Sequence, residues 1–447
     1  MKKLFKTLKN IWSIEELRSK ILFTLALIFI YRIGAHIVLP GIDPDGIQAQ
    51  MANSKKGILG LIDTFAGGAF SQASIFALGI MPYISASIFM QLMTVLVPQM
   101  QKLQKEGDSG RKKINQWTRY LTVAVTIVQA SAYVTYLNEM TRGGGRIPGF
   151  EPYFWYTTVI VLTAGTLFVM WLGEKITDKG LGNGTSLIIM VGILARLPQS
   201  FAQEFTAKSA SSAGGGILIF IIELFILVGI ILGCILLIQG TRKIALNYAK
   251  QIAGGNRQFT GARQFLPIKV NSAGVMPIIF AQAIMFLPTL FSYADSTKGI
   301  ARIFSDHTNI WYMLVYATVV IGFTFLYTAL IFNPKQIADN LKQNNGFIPG
   351  VKPGQPTADY IGAVMDKVTL PGAVLLAFVG ILPGIAQLLG VTQGFANFFG
   401  GTSLLIMVGV ILDTLQQIET QLLMRQYDGL MKSGRIQGRQ TLTQASV

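Results

Sequence analysis

Apolar positions along this chain gather into separated runs of about 20 residues, the length that lets a helix cross the roughly 30 Å hydrocarbon core of a bilayer. Ten runs can be set out, at roughly 21–39, 74–97, 118–137, 153–173, 185–198, 217–238, 270–291, 310–332, 369–389 and 402–424. One region is too long for this scheme. From Ile58 to Val97, forty residues carry a single charge, Asp63. As one helix they would rise about 60 Å at ~1.5 Å per residue, twice what a span needs. Ser74–Val97 accounts for a span with Pro82 near its start, so the part before it has another role.

Composition agrees with the pattern. The chain has 447 residues, 51% hydrophobic and 13% charged, which defines an all-α polytopic membrane protein. The first twenty residues, "MKKLFKTLKNIWSIEELRSK", are basic and amphipathic and show no small-residue cleavage site, so they read as a cytoplasmic lead-in (1–20) rather than a cleaved signal peptide. A net charge of +16 suggests nucleic acid until the charges are located. With ten spans both termini share a side, and that side holds 28 of the 37 Lys and Arg against 8 opposite, Arg32 being inside the first span. By the positive-inside rule the termini are cytoplasmic, with 425–447 as a cytoplasmic tail.

Between the fifth and sixth runs lies "SFAQEFTAKSASSAGGG", an external Ser/Ala/Gly-rich stretch (200–216) that reads as a hinge between an N-terminal half, 21–199, and a C-terminal half, 217–424. Two consecutive halves of five spans each have opposite topology, the inverted-repeat arrangement of many transport proteins. Two cytoplasmic loops are longer than a connection requires. Residues 240–269 carry six positive charges and no acidic residue. In 333–368, Pro334 suits a helix start, "KQIADNLKQNN" can be helical, "GFIPGVKPGQP" is stiff turn material and Thr357 can cap a helix over "ADYIGAVMDKV". A rigid basic protrusion is a docking surface; the alternative, charge that only fixes orientation, does not explain the ordered Gly/Pro pattern.

Catalytic chemistry is hard to find. The only histidines are His36 and His307, there is no HExxH, and the single cysteine, Cys234, sits in an apolar run. Gly180, Gly182 and Gly184 in "KGLGNGTS" lack the preceding strand and following lysine of a phosphate loop, and a turn opening the fifth span is the simpler account. The chain therefore reads as no enzyme, with no cofactor or metal. Arg32 has a polar neighbour or snorkels, and Glu223, Asp413 and Glu419 form no ladder of the kind a coupled transporter uses. Small and apolar inner helices, interrupted by proline, with large basic cytosolic loops suggest a gated pore served from the cytosol.

Seven blocks, "SQASIFALGIMPYISASI", "EGDSGRKKINQWTRY", "MWLGEKITDKGLGNGTS", "NYAK", "LPIKVNSAGVMP", "FNPKQIADNLKQNNGFIPGVKPG" and "GGTSLLIMVGV", run in order along nearly the whole chain and resemble the SecY family, the large subunit of the protein-conducting channel. The resemblance implies ten transmembrane helices in two inverted five-helix halves that form a clamshell around a central pore, with a re-entrant plug helix. It implies passage of unfolded preproteins with their signal sequences, sideways release of hydrophobic segments into membrane lipids, and residence in a bacterial plasma (inner) membrane. The implied partners are the small membrane subunits SecE and SecG, the SecA motor ATPase and the ribosome.

Matching motifs carry the family's aliphatic pore ring to Ile80, Ile84, Ile189, Ile279 and Ile406, where an apolar constriction excludes water by dewetting without binding a passing chain. The same five can be ordinary packing isoleucines. The plug would be Leu59–Phe70, with Leu61, Thr64, Phe65, Gly67 and Gly68. Ser85, Gln129 and Gln282 are candidates for polar contacts across a lateral gate between spans two and three and spans seven and eight. Arg242, Lys243, Lys250, Arg257 and Arg263 match one docking loop, and Lys335, Lys342 and Lys352 the other. Two positions depart from the family: Lys352 is commonly Arg there, which loses the guanidinium fork, and Thr185 either wets the waist or caps span five. A solute transporter and an insertase without a pore remain the alternatives.

Overall fold

The computed structural model describes residue 12, residues 14–43, residue 63 and residues 66–141, 153–210, 216–248, 264–290 and 308–432. Thirteen helices lie among them: α1 Glu15–Gly34, α2 Met81–Leu96, α3 Pro98–Lys105, α4 Asp108–Thr141, α5 Phe154–Lys179, α6 Gly184–Ser209, α7 Gly216–Gln239, α8 Met276–Leu290, α9 Ile310–Ile331, α10 Pro334–Gln343, α11 Gln355–Leu388, α12 Gln393–Ala396 and α13 Gly401–Lys432. Seven of the described helical stretches are long and apolar enough to cross a membrane, or eight when α2 and α3 are counted as one broken span. Residues such as Phe225 on α7, 81% exposed, stand on the outside, where lipid rather than water receives them.

Local chemistry sets the helix ends. Pro82 occupies the first turn of α2, where its missing N–H costs nothing, and Pro98 forces Val97 into an extended conformation that ends the helix (φ −101°, ψ 116°). The second span was expected from Ser74, but the helix begins at Met81. Residues 74–80 are turns, and Ser74 pairs instead with Val38 in an isolated bridge. Asn183, not Thr185, caps α6: its Oδ1 accepts from Thr185 N at 3.1 Å and Ser186 N at 3.3 Å. A Cβ at Gly184 would sit 2.1 Å from the Gly173 carbonyl oxygen, so the backbones of α5 and α6 touch there and only glycine fits.

The expected hinge at 200–216 is helical over its first part, because α6 continues through Pro198 to Ser209. Its outer end packs on α7 and α12 through Phe201, Phe205, Phe220 and Phe395. Lys208 holds it there, bonding Glu223 of α7 at 2.9 Å and the Gly390 carbonyl at 3.0 Å. Residues 211–215 lie outside the described residues.

The expectation of an all-α chain is corrected in the two basic loops. Strands β1 Thr241–Tyr248, β2 Gln264–Lys269 and β3 Gly346–Phe347 form one antiparallel sheet in the order β2–β1–β3, with Thr241 opposite Lys269 and Tyr248 opposite Gly346. "TRKIALNY" alternates as a half-buried strand does, Ile244 and Leu246 inward and Lys243 and Ala245 outward. The sheet therefore ties the two basic loops, read separately from sequence, into one body. Its core is Ile244, Leu246, Ile268, Leu341, Ile348, Ile361 and Met365. Asn333 caps α10, accepting from Gln336 N at 3.3 Å with Pro334 in the first turn. Thr357 caps nothing; α11 starts earlier, at Gln355, and Thr357 Oγ1 donates to the Lys352 carbonyl at 2.8 Å.

Ile361, with no exposed surface, joins α11 to this sheet. I361A should weaken that packing by about 2–5 kcal/mol. Limited trypsin digestion is then expected to cut the body around the sheet faster while the long helices stay protected; an unchanged digest would show that the cluster does not hold the body together.

Candidate functional site

The five isoleucines picked out by motif come together. Ile80, Ile189 and Ile406 are buried in one apolar cluster with Leu27, Tyr31, Phe76 and Phe398, and Ile84 and Ile279 pack against it. They arrive by different routes. Ile80 precedes the first turn of α2 and Ile84 follows one turn on; the Asn183 cap fixes the start of α6 and so sets Ile189; Ile279 and Ile406 come from α8 and α13.

A cavity of about 420 Å³ opens beside them, walled by Ile84, Ile189, Ile279 and Ile406. On three of the four helices its lining changes character toward the charge-rich side: Gln91 on α2, Asn183 and Thr185 at the start of α6 and Asp413 on α13 are polar, while Val275, Met276 and Ile279 keep the α8 wall apolar. Thr185 thus lines the cavity, with its hydroxyl turned to Asn183 Oδ1 at 2.7 Å. The arrangement is a funnel with wet walls and an apolar floor, able to admit a flexible chain and offer it no fixed hydrogen bond at the narrowest point.

On the far side of that floor, residues 66–80 form buried, irregular backbone. Gly67 and Gly68 have φ of 64° and 94°, and a Cβ at Gly67 would be 2.8 Å from Gly192 Cα of α6. Arg32 finds its polar partner here, Nη1 donating to the Gly67 carbonyl at 3.3 Å, and Tyr133 of α4 donates to the Phe70 carbonyl at 2.7 Å. Of the expected plug residues, Gly67 and Gly68 are thus seated against α6, while Leu61, Thr64 and Phe65 lie outside the described residues.

The expected gate residues do not bridge the two sides. Ser85 Oγ bonds Met81 O in its own helix at 3.1 Å. Gln282 accepts from Thr402 of α13 at 3.4 Å, within the same half, and Gln129 is half-buried on α4. The bond that crosses is Tyr327 Oη of α9 donating to Gln91 Oε1 of α2 at 2.5 Å. Phe280 of α8 holds the tyrosine ring at 5.8 Å and stacks on Phe323 at 5.5 Å. The sequence signals one partner only: Gln91 is the one side-chain amide in the apolar run after Pro82, and nothing there points to Tyr327. Glu204 was likewise missed. It is wholly buried and accepts from Thr392 N at 2.8 Å, anchoring the outer end of α6 to the turn before α12.

Arg242 and Lys243 on β1, Lys335 and Lys342 on α10 and Lys352 in the Gly350–Gly354 turn are all exposed on the one body built around the sheet. Lys250, Arg257 and Arg263 lie outside the described residues.

Long apolar helices around a funnel-shaped cavity with an apolar floor define a polytopic membrane protein of the channel class. The chain belongs to the SecY family, whose sequence pattern it matches over residues 74–415. It is 41% identical over 433 residues to the protein translocase subunit SecY of Streptomyces scabiei, covering 93% of this chain and 97% of the relative. To the SecY subunit of Chlamydia muridarum it is 40% identical over 456 residues, covering 97% and 99%. Among solved structures it shares the fold of one described as a protein conducting channel (TM-score 0.61, 17% identity, 90% and 92% covered). It also shares that of Sec61 in the canine ribosome-channel complex from the endoplasmic reticulum (TM-score 0.58, 16% identity, 90% and 92% covered).

Y327F removes the α2–α9 bond and nothing else of the ring. A single net hydrogen bond of ~0.5–1.5 kcal/mol corresponds to a two- to tenfold rise in the population with α2 and α9 apart. Electron–electron distance measurements between spin labels on the two helices in nanodiscs are expected to show that added population; superimposable distributions would mean the bond closes nothing.

Proposed function

We propose that this chain is the channel subunit of a protein translocase: unfolded polypeptide passes through the cavity, and hydrophobic segments leave sideways between α2 and α4 on one side and α8 and α9 on the other. The observation that carries this is the convergence of Ile84, Ile189, Ile279 and Ile406, from four helices drawn from both halves of the chain, on the wall of one cavity. Relatives named as SecY translocase subunits at about 40% identity over nearly the full length support the same activity.

In this reading ten helices cross a bacterial plasma membrane with both termini cytoplasmic, in two inverted halves that close as a clamshell. The segment 59–70 is the plug, a role supported by the glycine seat of Gly67 on α6. Work comes from outside the chain. The SecA motor or the ribosome engages the cytosolic body through Arg242, Lys243, Lys335, Lys342 and Lys352, and SecE and SecG complete the complex. One body built from both loops favours docking over charge that merely orients the chain, because orientation requires no shared core.

The decisive experiment reconstitutes the chain with its small subunits, a motor ATPase and a secretory preprotein in vesicles. ATP-dependent, protease-protected preprotein is expected; none, together with saturable uptake of a small solute, would favour the transporter alternative. K352E should slow motor-driven export by several fold with assembly of the complex unchanged, read by export kinetics beside co-purification; equal export rates would remove Lys352 from the docking surface.

A further inference from the structure

Arg196 shares a face of α6 with Ile189 and Gly192, seven and four residues before it. One stripe of this helix thus presents, in order, a cavity-wall isoleucine, the glycine on which Gly67 rests, and a cation. The guanidinium bonds the Asp63 carboxylate through Nη2, which also donates to Ser71 Oγ at 2.6 Å, while Nη1 donates to Gln199 Oε1 at 2.9 Å. Asp63 is tied to the turns beyond it: Oδ1 accepts from Ser71 N and its carbonyl from Gly68 N, at 2.8 and 2.9 Å. Asp63 is the one charge in the long apolar stretch from Ile58 to Val97, and Arg196 the one charge in the fifth apolar run.

The pair is poorly hydrated, its side chains 15% and 11% exposed, so removing either partner strands a charge where water is scarce. A cavity of about 240 Å³ borders it, with Gln199, Gln203 and Asn397 in its wall. Once separated, the two charges have amides and room for water beside them, which makes the contact reversible rather than permanent.

We propose that Asp63 and Arg196 form a latch that seats residues 66–73 on α6, with Arg196 as the positioning residue that sets how readily the resting channel opens. This rests on the reading that the segment seals the pore. Neither residue belongs to the isoleucine cluster or lines its cavity, so releasing the latch would free the segment and leave the apolar floor in place.

The test uses the complex with its small subunits, in planar bilayers and in amide hydrogen exchange. D63N and R196Q should each raise resting open probability by about tenfold or more, the factor that corresponds to losing a buried charged partner. Both should speed exchange across residues 66–73. The asparagine of D63N keeps an acceptor for Ser71 N, so faster exchange in that variant reports loss of the arginine. The reversed pair, D63R with R196D, should return both readouts toward the parent; R196K, which keeps the charge and loses the fork, should fall between, and it serves as the informative variant if R196Q folds poorly. Deletion of 59–70 is the reference. Leak in the deletion with parental exchange and conductance in D63N and R196Q overturns the latch and leaves the plug standing. Faster exchange in the variants with no leak in the deletion keeps the latch and removes the seal.

Discussion

Lipid offers no hydrogen bonds to a backbone, so irregular chain at membrane depth survives only where protein encloses it and each polar group finds a partner. Residues 66–80 meet that condition. Ile75 N bonds Ile37 O at 2.9 Å, Leu39 N returns to Ala73 O at 2.8 Å, Ser74 N bonds Ala69 O at 3.0 Å, and Phe76 N uses the Ser74 hydroxyl at 3.3 Å. Small residues make the enclosure possible: Ala66, Ala69, Ala73 and Ala77 are buried almost completely. A Cβ at Gly34 would fall 2.0 Å from the Phe76 ring and one at Gly165 2.2 Å from Ile75 O. The position of this segment, and with it the start of α2 at Met81 and the placement of Ile80 and Ile84, depends on α1, α5 and α6 approaching so closely.

Charge in this part of the molecule follows the same logic of satisfaction. Arg32 is spent on a backbone carbonyl, Arg196 on Asp63, and Lys208 lies between Glu204 and Glu223 at 3.6 and 2.9 Å. None of these groups lines the cavity beside the isoleucines. Asp413 stands in the wall farther toward the charge-rich side; a charge at the level of the isoleucines would bind counter-ions and hydrate the narrowing, whereas these groups, set behind the walls, tie helices to one another. The Ser209 end of α6 is bound to α7 and to the turn before α12, so side chains join the two halves there.

Much of this was legible in the sequence where a single period governs. The isoleucines were reached through motifs, and they converge because each lies within about two turns of a helix start that local chemistry fixes, Pro82 for α2 and Asn183 for α6. The polar contacts were not legible. Ser85 was a reasonable gate residue by position, yet its hydroxyl closes on its own helix at 3.1 Å, as serines in helices can. Gln91 and Tyr327 are 236 residues apart, and nothing periodic links them. The sheet escaped for a related reason. Its two-residue β3 is too short to carry an alternation, although "TRKIALNY" itself alternates, so the union of the two basic loops depends on a pairing no local pattern encodes.

Sealing and gating therefore fall to different kinds of interaction. An apolar floor excludes water whatever its partner, gains nothing specific from a passing chain, and so sets no threshold of its own. In the proposed reading the threshold resides in a few directional contacts: the Tyr327–Gln91 bond between α2 and α9, the Tyr133 hydroxyl on Phe70 O, and the Asp63–Arg196 pair. At ~0.5–1.5 kcal/mol for a neutral bond and more for a charged one, a handful of such contacts is of the size that would hold an open state at the 0.1–10% level. Under that reading, a segment inserting between α2 and α9 would have only to replace one hydrogen bond and the ring contacts of Phe280 and Phe323, which are apolar and indifferent to sequence. A gate built this way would answer to hydrophobicity rather than to any particular residue order, as the proposed passage of many different chains requires.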